Sequence, residues 1–466
     1  MKTLGMILLC VAGPLCIRAQ QTILIEPDST TSLPADSVGT GQFGPAVRDL
    51  LLSELAPYSI DRWITKQPWA RTSLRSWGDN LKYGWEWDTD HFVVNQFAHP
   101  YSGNMYFNSA RSNGFGFWAS APFALAGSAI WEYFGETTRP SVNDIINTTL
   151  GGISLGETTY RLSGMILDDQ STGTERMFRE IGAALINPVR AFSRLLRGET
   201  GRVGPNPIDR LTGMIHGSAD IGYQRVDEGP KNAPARGPNQ GFANFTLVYG
   251  NPLEGEVANP FGAFLLRLTL ATSRALTVSE AEAEGLLAVD DLKKEERSNQ
   301  RLALIMHYHY FNNLAFENGG QGFSAGLMSR YPIGESNSLY TQVFLTGFAI
   351  AAVKSDYATD LAALANETAR NYDFGPGAGG VVSVQFAYGD LWFLELEYEP
   401  FWIGVTSGMS RDQFFQVITS QWQIRVFDKL SIGERDFLYL RTGHYDTHPT
   451  SHTRDVILQA FLSWAF

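Results

Sequence analysis

Cysteine is almost missing from this chain: both residues, Cys10 and Cys16, fall within the first twenty of 466. A chain that loses that segment has no thiol and no disulfide, and is held by packing, backbone pairing or a membrane. A basic stripe is missing as well. Lys and Arg number 36 against 48 Asp and Glu, a net charge of -12, which excludes nucleic acid as an expected partner. The apolar run from Leu4 to Ile17, broken by Gly13 and Pro14, falls short of the roughly 20 residues that cross a bilayer as a helix. With Lys2 before it and Arg18-Ala19-Gln20 after it, it has the layout of a secretory signal peptide, expected over residues 1–19. Leu15 is bulky where a lipoprotein cut before Cys16 calls for a small residue.

Four further segments follow from texture. Residues 20–44 are rich in Ser, Thr, Gly, Asp and Pro without a period and read as a flexible lead. Residues 45–200 read as a helical domain, because apolar side chains such as Val47, Leu50, Leu51 and Leu55, or Phe178, Ile181, Leu185 and Ile186, recur at three- and four-residue steps. Gly201 to Pro207 opens a linker over 201–210, and from 211 the period changes to two.

That period defines the rest of the chain. Leu211, Gly213, Ile215, Gly217, Ala219, Ile221 and Tyr223 alternate with Thr212, His216, Ser218, Asp220 and Gln224. Leu302, Leu304, Met306, Tyr308 and Tyr310 alternate with Arg301, His307 and His309, and Trp392, Leu394, Leu396 and Tyr398 with Glu395, Glu397 and Glu399. About twelve such runs, several long enough for a tilted span, predict an antiparallel transmembrane β-barrel over 211–466. A soluble sandwich or lipocalin-like barrel also alternates, but its strands are shorter. The closing run, Val456, Leu458, Ala460, Leu462, Trp464 and Phe466, resembles the last strand of outer-membrane barrels, whose terminal aromatic is read by the barrel insertion machinery.

Candidate chemistry lies in the helical domain. Asp88, His91, Asn95 and His99 follow at steps of three, four and four and share one face of a helix that Pro100 is expected to stop. An apolar helix from Phe115 to Phe134 carries Glu132, with Glu136 one turn on. Ser141 can cap a further helix, with Asp144 returning its carboxylate as in a capping box. Two histidines with Asp88, Asp90, Glu132 or Glu136 could supply a general base, its orienting carboxylate or a metal site of imidazole and carboxylate. His91 and His99, about 12 Å apart on one helix, cannot share an ion. The bland alternatives are a buried polar network holding helices together and a cap at Asp144.

These residues also carry a resemblance. Trp85 to Gly103, then Tyr106-Phe107-Asn108-Ser109-Ala110-Arg111, Trp131-Glu132-Tyr133-Phe134-Gly135-Glu136 and Pro140-Ser141-Val142-Asn143-Asp144 resemble the uncharacterised bacterial domain-of-unknown-function family 3943 over about residues 70–165. The resemblance implies an envelope protein and brings no established activity. A fainter one is to VanZ-like helical membrane proteins, at Asp88 or Asp90 with His91-Phe92, Glu132 or Glu136, Pro140-Ser141, Asp144, Asn147, Gly151 and Gly156. Asn147 follows Asp144 by three residues there rather than four.

The expected architecture is therefore α+β: an N-terminal helical domain, lying in the periplasm or plugging the barrel, then a barrel of about twelve strands in the outer membrane. Outer-membrane lipids are its expected neighbours. Three functions fit: a hydrolase of envelope lipid acting through the helical cluster, a channel or uptake protein using the inward charges Glu395, Glu397, Glu399, Arg267 and Arg301, or a structural or assembly protein. The sequence names neither a cofactor nor a metal.

Overall fold

The computed structural model describes residues 41–207, 215–227, 237–253, 257, 259–272, 276–294, 299–313, 315–357 and 370–466. The expected signal peptide, most of the flexible lead and the start of the first strand at 211–214 lie outside them. The helical half comprises α1 (Phe43–Ser59), α2 (Leu74–Tyr83), α3 (His99–Arg111), α4 (Phe117–Ile130), α5 (Val142–Ile146), α6 (Gly152–Ile166), α7 (Gly173–Ile186) and α8 (Pro188–Leu196). Its centre is the crossing of α3 and α6, where backbones come so close that a Cβ on Gly103 would overlap the Thr148 carbonyl and one on Gly152 would overlap Gly103. Buried charge is paired: Glu157 on α6 accepts from Arg111 Nε and Arg161 Nε, each at 2.8 Å. No helix among the described residues is long and apolar enough to cross a membrane.

One expectation fails here. Pro100 starts α3 instead of ending a helix, and Tyr101, Ser102 and Gly103 continue it. Proline has no N–H to give, so it is tolerated in a first turn. A wider π-helical turn at Val94–Ala98 leads into it.

The second half is a closed barrel in which all twelve strands pair antiparallel with their sequence neighbours and the first pairs with the last. They are β1 (Ile215–Asp227), β2 (Asn239–Tyr249), β3 (Phe264–Thr272), β4 (Leu276–Lys294), β5 (Asn299–Asn312), β6 (Glu317–Ile333), β7 (Asn337–Lys354), β8 (Tyr372–Tyr388), β9 (Trp392–Gly404), β10 (Ser410–Phe427), β11 (Leu430–Tyr445) and β12 (Ser451–Ala465). Closure leaves no unpaired edge, which a bilayer requires. Alternation separates two environments. Ile221, Tyr223, Leu345, Leu396, Leu462 and Trp464 stand exposed on the outer wall, Leu345 at 78 %, while Asp220, Gln224, Glu397 and Gln459 on the opposite parity turn inward. Large apolar side chains left bare on a closed barrel mark a lipid-facing surface.

Part of the helical domain packs against the outer face of the barrel wall. On β5, Leu302 and Leu304 are exposed on the outer wall, whereas Met306, Tyr308 and Tyr310, the next residues of the same face, are buried under helices. The Tyr308 hydroxyl donates to the Gln96 carbonyl at 2.8 Å. Phe92 stacks on Tyr310 at 5.7 Å between ring centres. On β4 the matching outward residues are small, Ala281, Ala283 and Gly285, so α6 can lie against the wall, and the Ser154 hydroxyl on that helix reaches the Ala283 carbonyl at 3.2 Å. The cover continues to Tyr372 and Phe374 on β8. These contacts are made on the outside of the wall and do not fit the plug expected from sequence.

Candidate functional site

Non-local folding assembles the helical cluster, and the expected helical stripe does not. Residues 88–91 are not helical, so His91 swings out to solvent while Asp88, Asn95 and His99 converge. Three π-helical turns frame the site: Val94–Ala98 immediately before His99, Trp131–Gly135 containing Glu132, and Asn147–Gly151 just after Asp144. Each inserts an extra residue per turn and rotates the following side chains, a device frequent at functional sites.

Asp144 is reached from two sides. His99 Nε2 stands 3.5 Å from its Oδ1, and the Asn143 amide donates to the same oxygen at 2.8 Å. The other face of His99 meets the Thr148 hydroxyl at 3.3 Å from Nδ1. Asp88 accepts from the amides of Asn95 at 2.8 Å and Asn143 at 2.7 Å. Ser141 caps α5 through its hydroxyl, as expected, at 3.3 Å from the Asp144 N–H. The reciprocal half of the box is absent, because the Ser141 N–H goes to Glu132 Oε2 at 2.7 Å. One ligand atom from each of His99, Glu132 and Asp144 lies within 4.8 Å of the others. Asn95 also donates to the Tyr372 hydroxyl of the barrel at 2.6 Å, which ties the cluster to the wall.

Burial sets the protonation. Glu132 is 1 % exposed, and desolvation pushes its carboxyl up to about 8, with Asp88 and Asp90 adding to the rise. Asp144 is raised well above the usual carboxylate range for the same reason, with Asp88 and Glu132 adding to it. Burial lowers His99, against the pull of Asp88. Burial thus favours the neutral imidazole of His99 and the protonated form of Glu132: a lone pair for a proton or an ion, and a proton to deliver. Glu136 is half-buried next to Glu132, raised by burial and by that neighbour. Asp90 offers its backbone carbonyl to the Tyr372 hydroxyl at 3.0 Å.

A second concentration of charge fills the lumen. Glu280, Glu282 and Glu284 of β4 and Glu395, Glu397 and Glu399 of β9 line two cavities of about 50 and 230 Å³ with Arg267, Arg435, His307 and His309. No helical-domain residue lines either one among the described residues. Arg267 Nη1 pairs with Glu282 at 2.6 Å, and Gln385 donates to Glu395 at 2.7 Å. Arg301 is used elsewhere, held by Asp291 and the Pro252 carbonyl. Toward the rim away from β1's start, inward aromatics form a cluster in the lumen: Phe316 stacks on Tyr439 at 4.4 Å, Phe401 meets Phe348 at 5.2 Å and Phe415 at 5.3 Å. Sequence reading found the β9 glutamates and both histidines but passed over the β4 glutamates. Their signal was Glu280-Ala-Glu282-Ala-Glu284, an acidic dyad with a small-residue partner face.

Residues 84–189 match the model of a family described as a domain of unknown function, DUF3943. The VanZ-like pattern finds no counterpart in that match, and no curated protein matches the chain. Similar solved structures include the outer membrane channel DcaP of Acinetobacter baumannii, 8 % identical, covering 55 % of this chain and 97 % of that one with a TM-score of 0.26. The NanC porin is 6 % identical over 52 % of this chain and 98 % of its own, TM-score 0.30. An anion-selective porin from Comamonas acidovorans is 10 % identical over 55 % and 99 %, TM-score 0.23. Likeness this low carries no function across.

Proposed function

We propose that this chain is an outer-membrane barrel that admits cationic solutes through an acidic lumen gated by aromatic side chains. The observation that carries the reading is the pair of glutamate triplets on β4 and β9 that between them line the two lumen cavities, six carboxylates against Arg267 and Arg435. An excess of one sign attracts counter-ions and selects for them, and an apolar constriction gates by excluding water. The bare apolar outer wall supports the membrane location. Lipid is then the neighbour of that wall, and β12 is the strand offered to the insertion machinery. Purified protein in a planar bilayer should give a small, cation-selective conductance, and Glu397→Gln should reduce the selectivity. A wide, anion-selective pore would contradict the reading.

A second reading concerns the helical domain, favoured by the meeting of His99, Glu132 and Asp144 in a domain held against the lipid-side wall. His99 would act as the base and Asp144 would orient it, toward a phospholipid or other envelope lipid. His99→Ala and Glu132→Gln should remove a cellular phenotype while the barrel still assembles. Normal complementation by both would end this reading.

A further inference from the structure

We propose that Glu284, His307 and His309 form a transition-metal site on the lumen wall, taking a borderline divalent ion such as Zn²⁺, Ni²⁺ or Co²⁺. The backbone builds it. In the β4–β5 pairing Glu284 lies opposite His307 and Glu282 opposite His309. Two-residue spacing on β5 puts both imidazoles on the inward face.

The two rings aim at one atom. His307 Nδ1 is 3.1 Å and His309 Nε2 2.9 Å from the same oxygen, Glu284 Oε1. Ligands bound at about 2.0–2.2 Å to one ion stand roughly 3–3.5 Å apart, so small rotations of these side chains admit it. His307 is also pre-oriented. Its Nε2 meets the Ser324 hydroxyl at 2.6 Å, and that hydroxyl meets Thr346 Oγ1 at 2.5 Å. Without an ion, Nδ1–H can donate to Glu284; in the tautomer that donates from Nε2 to Ser324, the Nδ1 lone pair faces the carboxylate and is open to a positive ion between them. A metal ion fills that role, and an acceptor held behind the ligating ring, here the Ser324 hydroxyl, fixes its tautomer and orientation.

The donor set decides the ion. Two imidazoles and one carboxylate suit zinc and its neighbours, whereas Ca²⁺ and Mg²⁺ call for all-oxygen shells. All three residues line the 230 Å³ cavity, so the remaining coordination position faces the lumen and the ion exchanges with it. As a station for a passing ion the site rests on the uptake reading, but the binding itself needs only the folded barrel.

The test is metal binding to the full chain, folded in detergent, stripped with chelator and titrated with Zn²⁺ or with Co²⁺, whose visible absorption reports its ligands. The wild type should bind an ion that His307→Ala, His309→Ala and Glu284→Gln each lose, with heat-modifiable gel mobility showing that the barrels remain folded. Ser324→Ala, which keeps all three ligands, should weaken binding by about tenfold. His99→Ala should leave this binding in place, which separates it from any ion held by the helical cluster. No binding by the wild type, or binding lost with His99→Ala and kept by His307→Ala and His309→Ala, overturns the proposal. A chain that binds the ion yet conducts no cation supports the site and sinks the uptake reading alone.

Discussion

Glu132 shows how a single residue couples the candidate site to stability. Its carboxyl, raised to about 8 from an ordinary 4.5, binds its proton more tightly in the folded state. The stabilisation is full below about pH 4.5 and is lost as pH rises through about 8, because ionisation would leave a buried charge. Glu54, also raised to about 8 by burial, acts in the same direction. Helical unfolding followed by circular dichroism should therefore come at lower temperature at pH 9 than at pH 5, and Glu132→Gln should flatten the profile. A wild-type profile already flat over that range would show that neither carboxyl is as buried as described. At this scale the sequence was partly legible. The Ser141 cap is a local signal within four residues and was readable. The partners of Asp144 were not, because His99 arrives from another helix, and His91 looked equivalent to His99 only on the assumption of a continuous helix.

That assumption failed at the level of elements, where the π-helical turns decide which side chains meet. The long charge-free apolar run from Phe115 marked the helix found at Phe117–Ile130. An extra residue in one turn leaves no comparable trace, and Pro100 read as a stop although it opens α3. The α3–α6 crossing has a clearer sequence mark, small residues at Gly103, Gly152 and Gly156. Gly103→Ala would drive a methyl into the Thr148 carbonyl, and overpacking of this kind costs about 1–3 kcal/mol. Limited proteolysis should then cut the helical domain of Gly103→Ala faster than that of the wild type while the barrel fragment keeps its heat-modifiable mobility. Equal protection of both chains would place the helices further apart than described.

At the scale of the whole molecule, the barrel was legible because two-residue alternation repeats in every strand, whereas the seat of the helical domain was hidden in an exception to it. Ala281, Ala283 and Gly285 are small where a lipid-facing wall carries large apolar groups, and only the fold shows that helices take up the space. The bare part of the wall makes its own prediction. Leu396→Arg, on an outward position 55 % exposed, should cost about 2–4 kcal/mol if it lies near the bilayer midplane, read as a lower denaturant midpoint in lipid vesicles. Its inward neighbour Glu397 should accept Gln without loss of assembly. Equal tolerance of both would contradict the strand register or the lipid environment assigned to this face.

The central claim, an acidic lumen closed by aromatics, is tested most directly by opening it. The reversal potential of Phe401→Ala/Phe415→Ala should be measured in a planar bilayer under a salt gradient. The account predicts a conductance larger than that of the wild type, a reversal potential on the cation side, and a shift toward zero when Glu395, Glu397 and Glu399 are also changed to Gln. An opened variant that selects anions, or that conducts no more than the wild type while folded, would contradict it.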